Sequence, residues 1–317
     1  MECILKSKVF LYFISALSLF SLVTIYQYHN EDMTTLVAAR KAAGDELINS
    51  EAGVTRYQIF GERNTKTVIL VHSFNGFLES WNPNVNSLVN AGYRVVLYDL
   101  FGRGLSDRPR VNYDLRLFRR QLASVISEVG ADKVHLVGSS FGCVIVSDYA
   151  NHHPEKVESI VMVGPAGWPN ENGRNRLLDT PIIGELVFHY FGQQILRPKV
   201  EAYLFNLSKF HEVVEEWDTF ASYPGFMRSA LSTLRNSPVL DYTDGWKKLG
   251  NLGKPTMFIW GKQDVSFPYS NTEKLSKLIP HAKVVSIEDA AHWVNIEQAE
   301  EVNNAIASFL SVNNGGL

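Results

Sequence analysis

Cysteine is nearly absent: the 317 residues contain two, Cys3 and Cys143. Two cysteines in distant segments exclude a disulfide framework or a thiolate metal site as the organising feature. Cys143 reads as a small buried residue on a helix. An excess of one charge is also lacking. The chain has 30 Lys and Arg against 33 Asp and Glu, a formal net charge of -3, and no basic run is interleaved with aromatics, which argues against a nucleic-acid partner. No internal repeat and no low-complexity tract is seen. His152-His153 stands before a proline at a helix end, where cations suit the helix dipole, so no metal site and no cofactor is expected.

What the chain does have is 45% hydrophobic and 20% charged residues, enough for a large core in one domain with an insertion or in two domains. One long apolar run stands apart. Val9 to Tyr26, "VFLYFISALSLFSLVTIY", carries no charge over 18 residues, close to the minimum for crossing a bilayer. It is longer than the apolar stretch of a secretory signal and no strong cleavage site follows, so residues 1–30 read as an uncleaved signal-anchor in preference to a cleaved signal or a buried helix. Lys6 and Lys8 precede the run while Glu31 and Asp32 follow it. The positive-inside tendency then predicts a single-pass protein with its N-terminus cytoplasmic and the remainder periplasmic, luminal or extracellular.

Beyond the anchor, residues 33–48 read as a short helical connector and "VTRYQIFGE" alternates like a strand. Apolar runs rich in Val, Ile and Leu follow at 67–74, 93–100, 133–140 and 158–167, then at 256–264 and 282–289. Near-continuous apolarity marks strands buried on both faces, hence a mostly parallel sheet covered by helices. Helical patterns fill the gaps between these runs. From 168 to 250 the alternation stops and aromatics and Leu recur at helical spacing. This predicts an α/β core (31–167 and 251–317) with an α-helical lid inserted over the carboxyl edge of the sheet, where open α/β sheets bind ligands.

The run at 133–140 ends in "VGSSFG". The pattern G-x-S-x-G is met only by Gly138-Ser139-Ser140-Phe141-Gly142, because Val137 stands where a glycine would be needed if Ser139 were central. Ser140 then sits on a sharp strand-to-helix turn, with no Cβ two residues away on either side. A serine hydroxyl needs a base within reach, and that base needs an orienting group. His292, in "EDAAHWVN", follows the last predicted strand at the same sheet edge. Asp264, in "IWGKQDVSFP", closes the preceding strand there; Glu288 and Asp289 compete with it but share the histidine's own loop. Ser140, Asp264 and His292 are therefore the expected catalytic residues, in the chain order Ser, Asp, His.

With these residues, "DLFGRGLSDRP" and "LVHSFNGFLESW", the chain from about residue 50 onward resembles the α/β-hydrolase fold family, in particular its lidded lipase and esterase branch. It is similar to membrane-anchored monoacylglycerol lipases and bacterial lipase-like hydrolases, and more distantly to the carbon-carbon bond hydrolases of aromatic degradation. The resemblance implies a lid after the sixth strand and an oxyanion hole made by the backbone N–H groups of Phe141 and Phe74. The family usually carries His-Gly in the oxyanion loop, whereas this chain has His72-Ser73. Glycine permits a positive φ that serine adopts only at a cost, so the shape of this loop is the open point, with Gly76 able to supply the turn. The "FGRGLSD" glycines match no nucleotide-loop spacing, and Arg103 and Asp107 are expected to fix loops.

The reaction expected is acyl transfer from a carboxylic ester to water. Leu186, Phe188, Phe191, Phe205 and Trp217 are among the lid residues that supply apolar surface, and the candidate pocket residues are Ser73, Phe188, Phe191 and Trp293. An apolar pocket beside an anchor favours acylglycerols or short- to medium-chain lipid esters. Three alternatives stay open. One is a carbon-carbon hydrolase of vinylogous diketones using the same triad. The second is an aminopeptidase with a lid acid such as Glu185, Glu201, Glu212, Glu215 or Glu216. The third is a non-catalytic binding protein on the same fold.

Overall fold

The computed structural model describes residues 2–169 and 176–313, with side chains from residue 8 onward except that of Arg176. Residues 170–175 of the expected lid lie outside the described residues. Strands β1 (Glu46–Ser50), β2 (Gly53–Phe60), β3 (Lys66–Val71), β4 (Tyr93–Tyr98), β5 (Val134–Ser139), β6 (Val157–Val163), β7 (Thr256–Gly261) and β8 (Lys283–Ile287) form one sheet in the order β1-β2-β4-β3-β5-β6-β7-β8. The β1–β2 and β2–β4 pairs are antiparallel and every other pair is parallel. Helices α1 (Glu2–His29) and α2 (Thr34–Ala43) precede the sheet, and α3 (Asn82–Asn90), α4 (Leu115–Glu128) and α5 (Phe141–His152) cross over between its strands. Between β6 and β7 lie α6 (Arg176–Asp179), α7 (Ile183–Glu201), α8 (Leu207–Ser222), α9 (Phe226–Asn236) and α10 (Thr243–Leu252). Helices α11 (Asn271–Leu278), α12 (Val294–Glu297) and α13 (Ala299–Val312) complete the chain.

The continuous apolar runs are explained by burial on both faces. On β3, Val68 and Leu70 join Val95, Leu97, Val137 and Val161 in a layer closed by Leu88 of α3 and by Ile306 and Leu310 of α13. Ile69 and Val71 point the other way, to Val96, Tyr98, Leu136 and Ile160, under Leu122 of α4 and Ile145 of α5. Those four side chains of β3 alone contribute about 6–12 kcal/mol of burial. That is on the scale of the whole net stability of a domain, about 5–15 kcal/mol, so the strand ends are held firmly enough to position a site.

The N-terminal edge departs from expectation. The connector read as helical over 33–48 is helical only through Ala43; Gly44, at φ 69, ends the helix, and Glu46–Ser50 pairs with β2 as the edge strand. Of that strand only Ile48 is buried, so it has no alternation for a sequence reading to find. At the other end of the insertion, Trp246 and Leu249 of α10 are fully buried and Asn151 Nδ2 of α5 donates to the Gly245 carbonyl at 3.1 Å. Helix α10 therefore belongs to the layer over the sheet, although the sequence places it in the lid. Helices α7, α8 and α9 are the middle of the insertion, termed the cap. They reach loops at the carboxyl ends of the strands: Phe220 packs on Phe77 with ring centroids 4.8 Å apart, and Ser229 Oγ donates to the Gly102 carbonyl at 2.9 Å.

Candidate active site

β5 ends at Ser139 and α5 begins at Phe141, leaving Ser140 alone on the turn with φ 54 and ψ -114. A side chain held there is strained, and both flanking glycines are sterically required. A Cβ on Gly138 would stand 2.5 Å from the Gly142 carbonyl carbon, and one on Gly142 would overlap the Val71 carbonyl oxygen, leaving the neighbouring His72 oxygen 2.8 Å away. The elbow works only because α5 presses against the end of β3. Gly142→Ala should consequently lower the unfolding free energy by roughly 3 kcal/mol, the upper range for overpacking; a denaturation midpoint unchanged from wild type would contradict this packing.

His292 Nδ1 and Asp264 Oδ2 lie 2.7 Å apart, both side chains fully buried. The other oxygen of Asp264 accepts the backbone N–H groups of Ser266 at 2.8 Å and Phe267 at 2.9 Å, so the turn after β7 aims the carboxylate. With Nδ1–H committed to Asp264, Nε2 is the acceptor, and it is buried without a partner among the described residues. The imidazole packs between Tyr203 and Phe267, with centroids 4.8 and 5.4 Å away. It also lies against Gly164, where an added Cβ would come within 3.2 Å of Nδ1. Ser140 N–H donates to the Val163 carbonyl at 2.9 Å and the next residue, Gly164, lies against His292, so serine and histidine both stand beside the end of β6. Glu288 pairs with Lys262 and is exposed, which leaves Asp264 as the histidine's acid.

Phe141 is the first residue of α5, where an N–H has no carbonyl one turn earlier to bond. The Phe74 N–H faces no acceptor among the described residues. Phe74 is held from behind, because Arg103 Nε donates to its carbonyl at 2.6 Å and the guanidinium lies 4.7 Å from its ring centroid. Arg103 also reaches Ser229 Oγ of the cap at 3.1 Å. Burial pulls this guanidinium down to about 9, which leaves it cationic at neutral pH. His72 is neutral, pushed down to about 4 by burial; its Nδ1–H donates to the Ser73 carbonyl at 2.8 Å and Nε2 accepts Leu100 N–H at 2.9 Å. Ser73 is not among the described residues with positive φ, so serine costs the loop no strain. The tight approach falls at Gly76 instead, whose N–H closes a turn on the Ser73 carbonyl and where a Cβ would lie 2.8 Å from Ser73 N.

Two of the four candidate pocket residues are together here: Trp293 Nε1–H donates to Ser73 Oγ at 3.2 Å, and both are buried. Phe188 is fully buried on the inner stripe of α7 with Gly184, Gly192 and Leu196. Phe191 is 58% exposed on the outer face of the same helix. Aromatic density at helical spacing does not tell which side of a helix faces inward.

This elbow, the histidine-acid pair and the backbone N–H groups of Phe141 and Phe74 occur on a chain whose residues 66–299 match the family model for the alpha/beta hydrolase fold. The chain belongs to that family. Among its relatives, a 2-hydroxy-6-oxo-6-phenylhexa-2,4-dienoate hydrolase of Comamonas testosteroni is 25% identical over 255 residues, covering 77% of this chain and 87% of the relative. A 2-hydroxy-6-oxononadienedioate/2-hydroxy-6-oxononatrienedioate hydrolase of Cupriavidus pinatubonensis is 28% identical over 296 residues, covering 86% and 97%. Solved structures with the same fold include the enol-lactonase of Burkholderia xenovorans (TM-score 0.72, 20% identity, 84% of this chain and 100% of that one). A thermophilic esterase from Thermogutta terrifontis is similar as well (TM-score 0.72, 23% identity, 85% and 98%).

In this α/β hydrolase the cap adds residues that sequence reasoning missed. Tyr203, just after α7, packs at a tilt on His292, accepts the Trp293 N–H on its carbonyl at 2.9 Å, and accepts Asn75 Nδ2–H on its hydroxyl at 3.1 Å. Glu297 accepts Asn206 N–H of the cap at 2.9 Å and Ala291 N–H of the histidine loop at 2.7 Å. The cap is thus bonded to both the histidine loop and the loop that follows β3. Asn75 Oδ1 is buried with no partner among the described residues. In sequence, Tyr203 looks like any other aromatic of the insertion and Asn75 like a loop residue, so neither signals a role.

Beneath α8, Arg56 gathers Asp45 and Glu79 at 2.5 Å and Asp99 at 3.1 Å. Glu216 of α8 faces this cluster half-buried, pushed up to about 7 by burial and by the charges of Glu79 and Asp99. A carboxyl whose folded pKa lies above its unfolded one favours the folded state at low pH, and that contribution is lost as pH rises from about 4.5 to 7. Glu216→Gln should therefore gain stability over wild type across that window, by about 1–2 kcal/mol at pH 8 after allowing for solvent screening. Parallel denaturation curves for the two proteins at pH 5 and pH 8 would refute it.

Proposed function

We propose that Ser140 is the nucleophile, His292 the base that takes its proton at Nε2, and Asp264 the group that orients His292. The backbone N–H groups of Phe141 and Phe74 hold the oxyanion. The observation that carries this reading is the buried His292 Nε2, unpartnered among the described residues, with its other nitrogen bonded to Asp264, at the strand end where the strained Ser140 sits. Ser140 Oγ attacks a substrate carbonyl, the bond from that carbonyl to the leaving group breaks, and His292 delivers the proton to the leaving group. Water then attacks the acyl-enzyme with His292 as base, releasing the acid and restoring Ser140. A fluorophosphonate probe should label wild type and not Ser140→Ala; equal labelling would overturn the assignment.

For the substrate, we infer a vinylogous diketone split at a carbon-carbon bond. The names of the relatives point to this class. So do the neutral polar groups past the oxyanion loop, Asn75, Tyr203 and Ser73, which suit a second oxygen function on the substrate. Carboxylic esters are the second reading, favoured by the apolar helix α1, which we take as a membrane anchor. Its 18-residue window of highest hydropathy averages 2.1 and is only 6% buried. Turnover of 2-hydroxy-6-oxo-6-phenylhexa-2,4-dienoate beside a p-nitrophenyl ester series separates the two. A kcat/KM for the dienoate at least tenfold above every ester supports the first, and the reverse order supports the second. On the preferred substrate Tyr203→Phe should lose about tenfold in kcat/KM, the worth of one hydrogen bond at about 1.4 kcal/mol.

A further inference from the structure

Helix α1 does not stand free of the hydrolase body. Ser21, Thr24, Ile25 and Tyr28 recur at helical spacing and form its covered face. Thr24 Oγ1 and Tyr190 Oη are 3.0 Å apart, Phe20 stacks on Tyr190 at 6.1 Å, and Tyr28 meets His189 edge-on at 6.0 Å. All of these partners lie on α7, the cap helix whose inner stripe carries Phe188. The turns of α1 before this contact, Val9 to Leu19, rise only about 16 Å. A hydrocarbon core is about 30 Å thick and needs about 20 helical residues. A span that starts at Val9 must therefore include the turns bearing Phe20, Thr24 and Tyr28, and α7, which touches them, is brought to the same depth.

The outer face of α7 fits that position. Ile182, Ile183, Tyr190 and Phe191 are each between 42% and 58% exposed, and Tyr190 joins this apolar surface to Phe20 and Thr24 of α1. Farther along the helix the exposed residues turn polar at Gln194 and Lys199. The first half of the helix is thus the part whose exposed apolar side chains can enter the headgroup and acyl boundary, where amphipathic segments bury their apolar face about 5–10 Å deep. The Thr24 and Tyr190 hydroxyls satisfy each other, as groups removed from water must.

We propose that α7 lies in the membrane surface beside α1, with Ile182, Ile183, Tyr190 and Phe191 against lipid acyl chains at the headgroup boundary. The cap is then the membrane-facing side of the hydrolase. This rests on the anchor reading of α1. The test uses the full chain in lipid nanodiscs, in a Cys3→Ser background with Cys143 left in place because it is buried. A fluorophore is attached at Phe13→Cys, Phe191→Cys or Lys133→Cys, and nitroxide-bearing lipids serve as quenchers. Lys133 is exposed at the start of β5, the opposite edge of the sheet. Label at 191 should be quenched several-fold more than label at 133, and most strongly by a nitroxide near the headgroup end of the acyl chain. Quenching at 13 with 191 no different from 133 would overturn the position of α7 and leave the anchor standing. Absence of quenching at 13 would overturn both. Shielding at 191 that follows protein concentration and not lipid would assign the stripe to a second copy of the chain, and would also overturn the proposal.

Discussion

Ser140→Ala is expected to lower kcat by about four orders of magnitude or more, because the reaction loses its nucleophile while the binding and oxyanion groups remain. The informative companion is Ser140→Gly. Both variants lack the hydroxyl, so both should be equally inactive, yet they differ in backbone cost. Ser140 sits at φ 54 and ψ -114, a conformation that costs a residue with a Cβ of order 1–3 kcal/mol. Alanine keeps that cost, whereas glycine removes it and gives back up to about 1 kcal/mol through a looser unfolded chain. The relief is the larger effect, so Ser140→Gly should unfold about 1 kcal/mol later than Ser140→Ala in chemical denaturation. A glycine variant less stable than the alanine one would mean that the turn is not strained. An alanine variant retaining a tenth of the activity would mean that Ser140 is not the nucleophile.

The strain, the glycines and the serine form one device, and that is why this part of the molecule was legible in sequence. Gly138 and Gly142 mark the only frame in which a side chain can stand on the elbow, and the packing of α5 against Val71 and His72 shows why no other residue fits there. The sheet was legible for a related reason: strands buried on both faces have no polar side, and their apolar runs end where the functional loops begin. What stayed hidden depends on contacts made across long separations in the chain. β1 shows no alternation because a single residue, Ile48, is buried. Phe188 and Phe191 differ by three positions, yet one is in the core and the other on the surface, and only the docking of α7 separates them. Tyr203 acquires its part by meeting Asn75, 128 residues earlier in the chain. The His-Ser departure in the oxyanion loop proved to be a local matter, since the close approach falls on Gly76 and not on Ser73.

Asp264→Asn should leave KM nearly unchanged and reduce kcat roughly a thousand- to ten-thousand-fold. The carboxylate makes two kinds of bond. One oxygen accepts two backbone N–H groups, from Ser266 and Phe267, and the other accepts Nδ1–H of His292. An asparagine must place its carbonyl at one position and its NH2 at the other. Turning the NH2 toward the two backbone donors would leave three buried donors facing one another, at about 1–3 kcal/mol for each unsatisfied group. The cheaper arrangement keeps the carbonyl on the backbone donors and presents the NH2 to Nδ1. Histidine then carries its proton on Nε2, the nitrogen that has to receive the proton of Ser140, so the nucleophile is no longer activated although the ring stays in place. Slow fluorophosphonate labelling with a normal amount of folded protein would match this tautomer trap. A kcat within tenfold of wild type would show that Asp264 does not set the tautomer of His292.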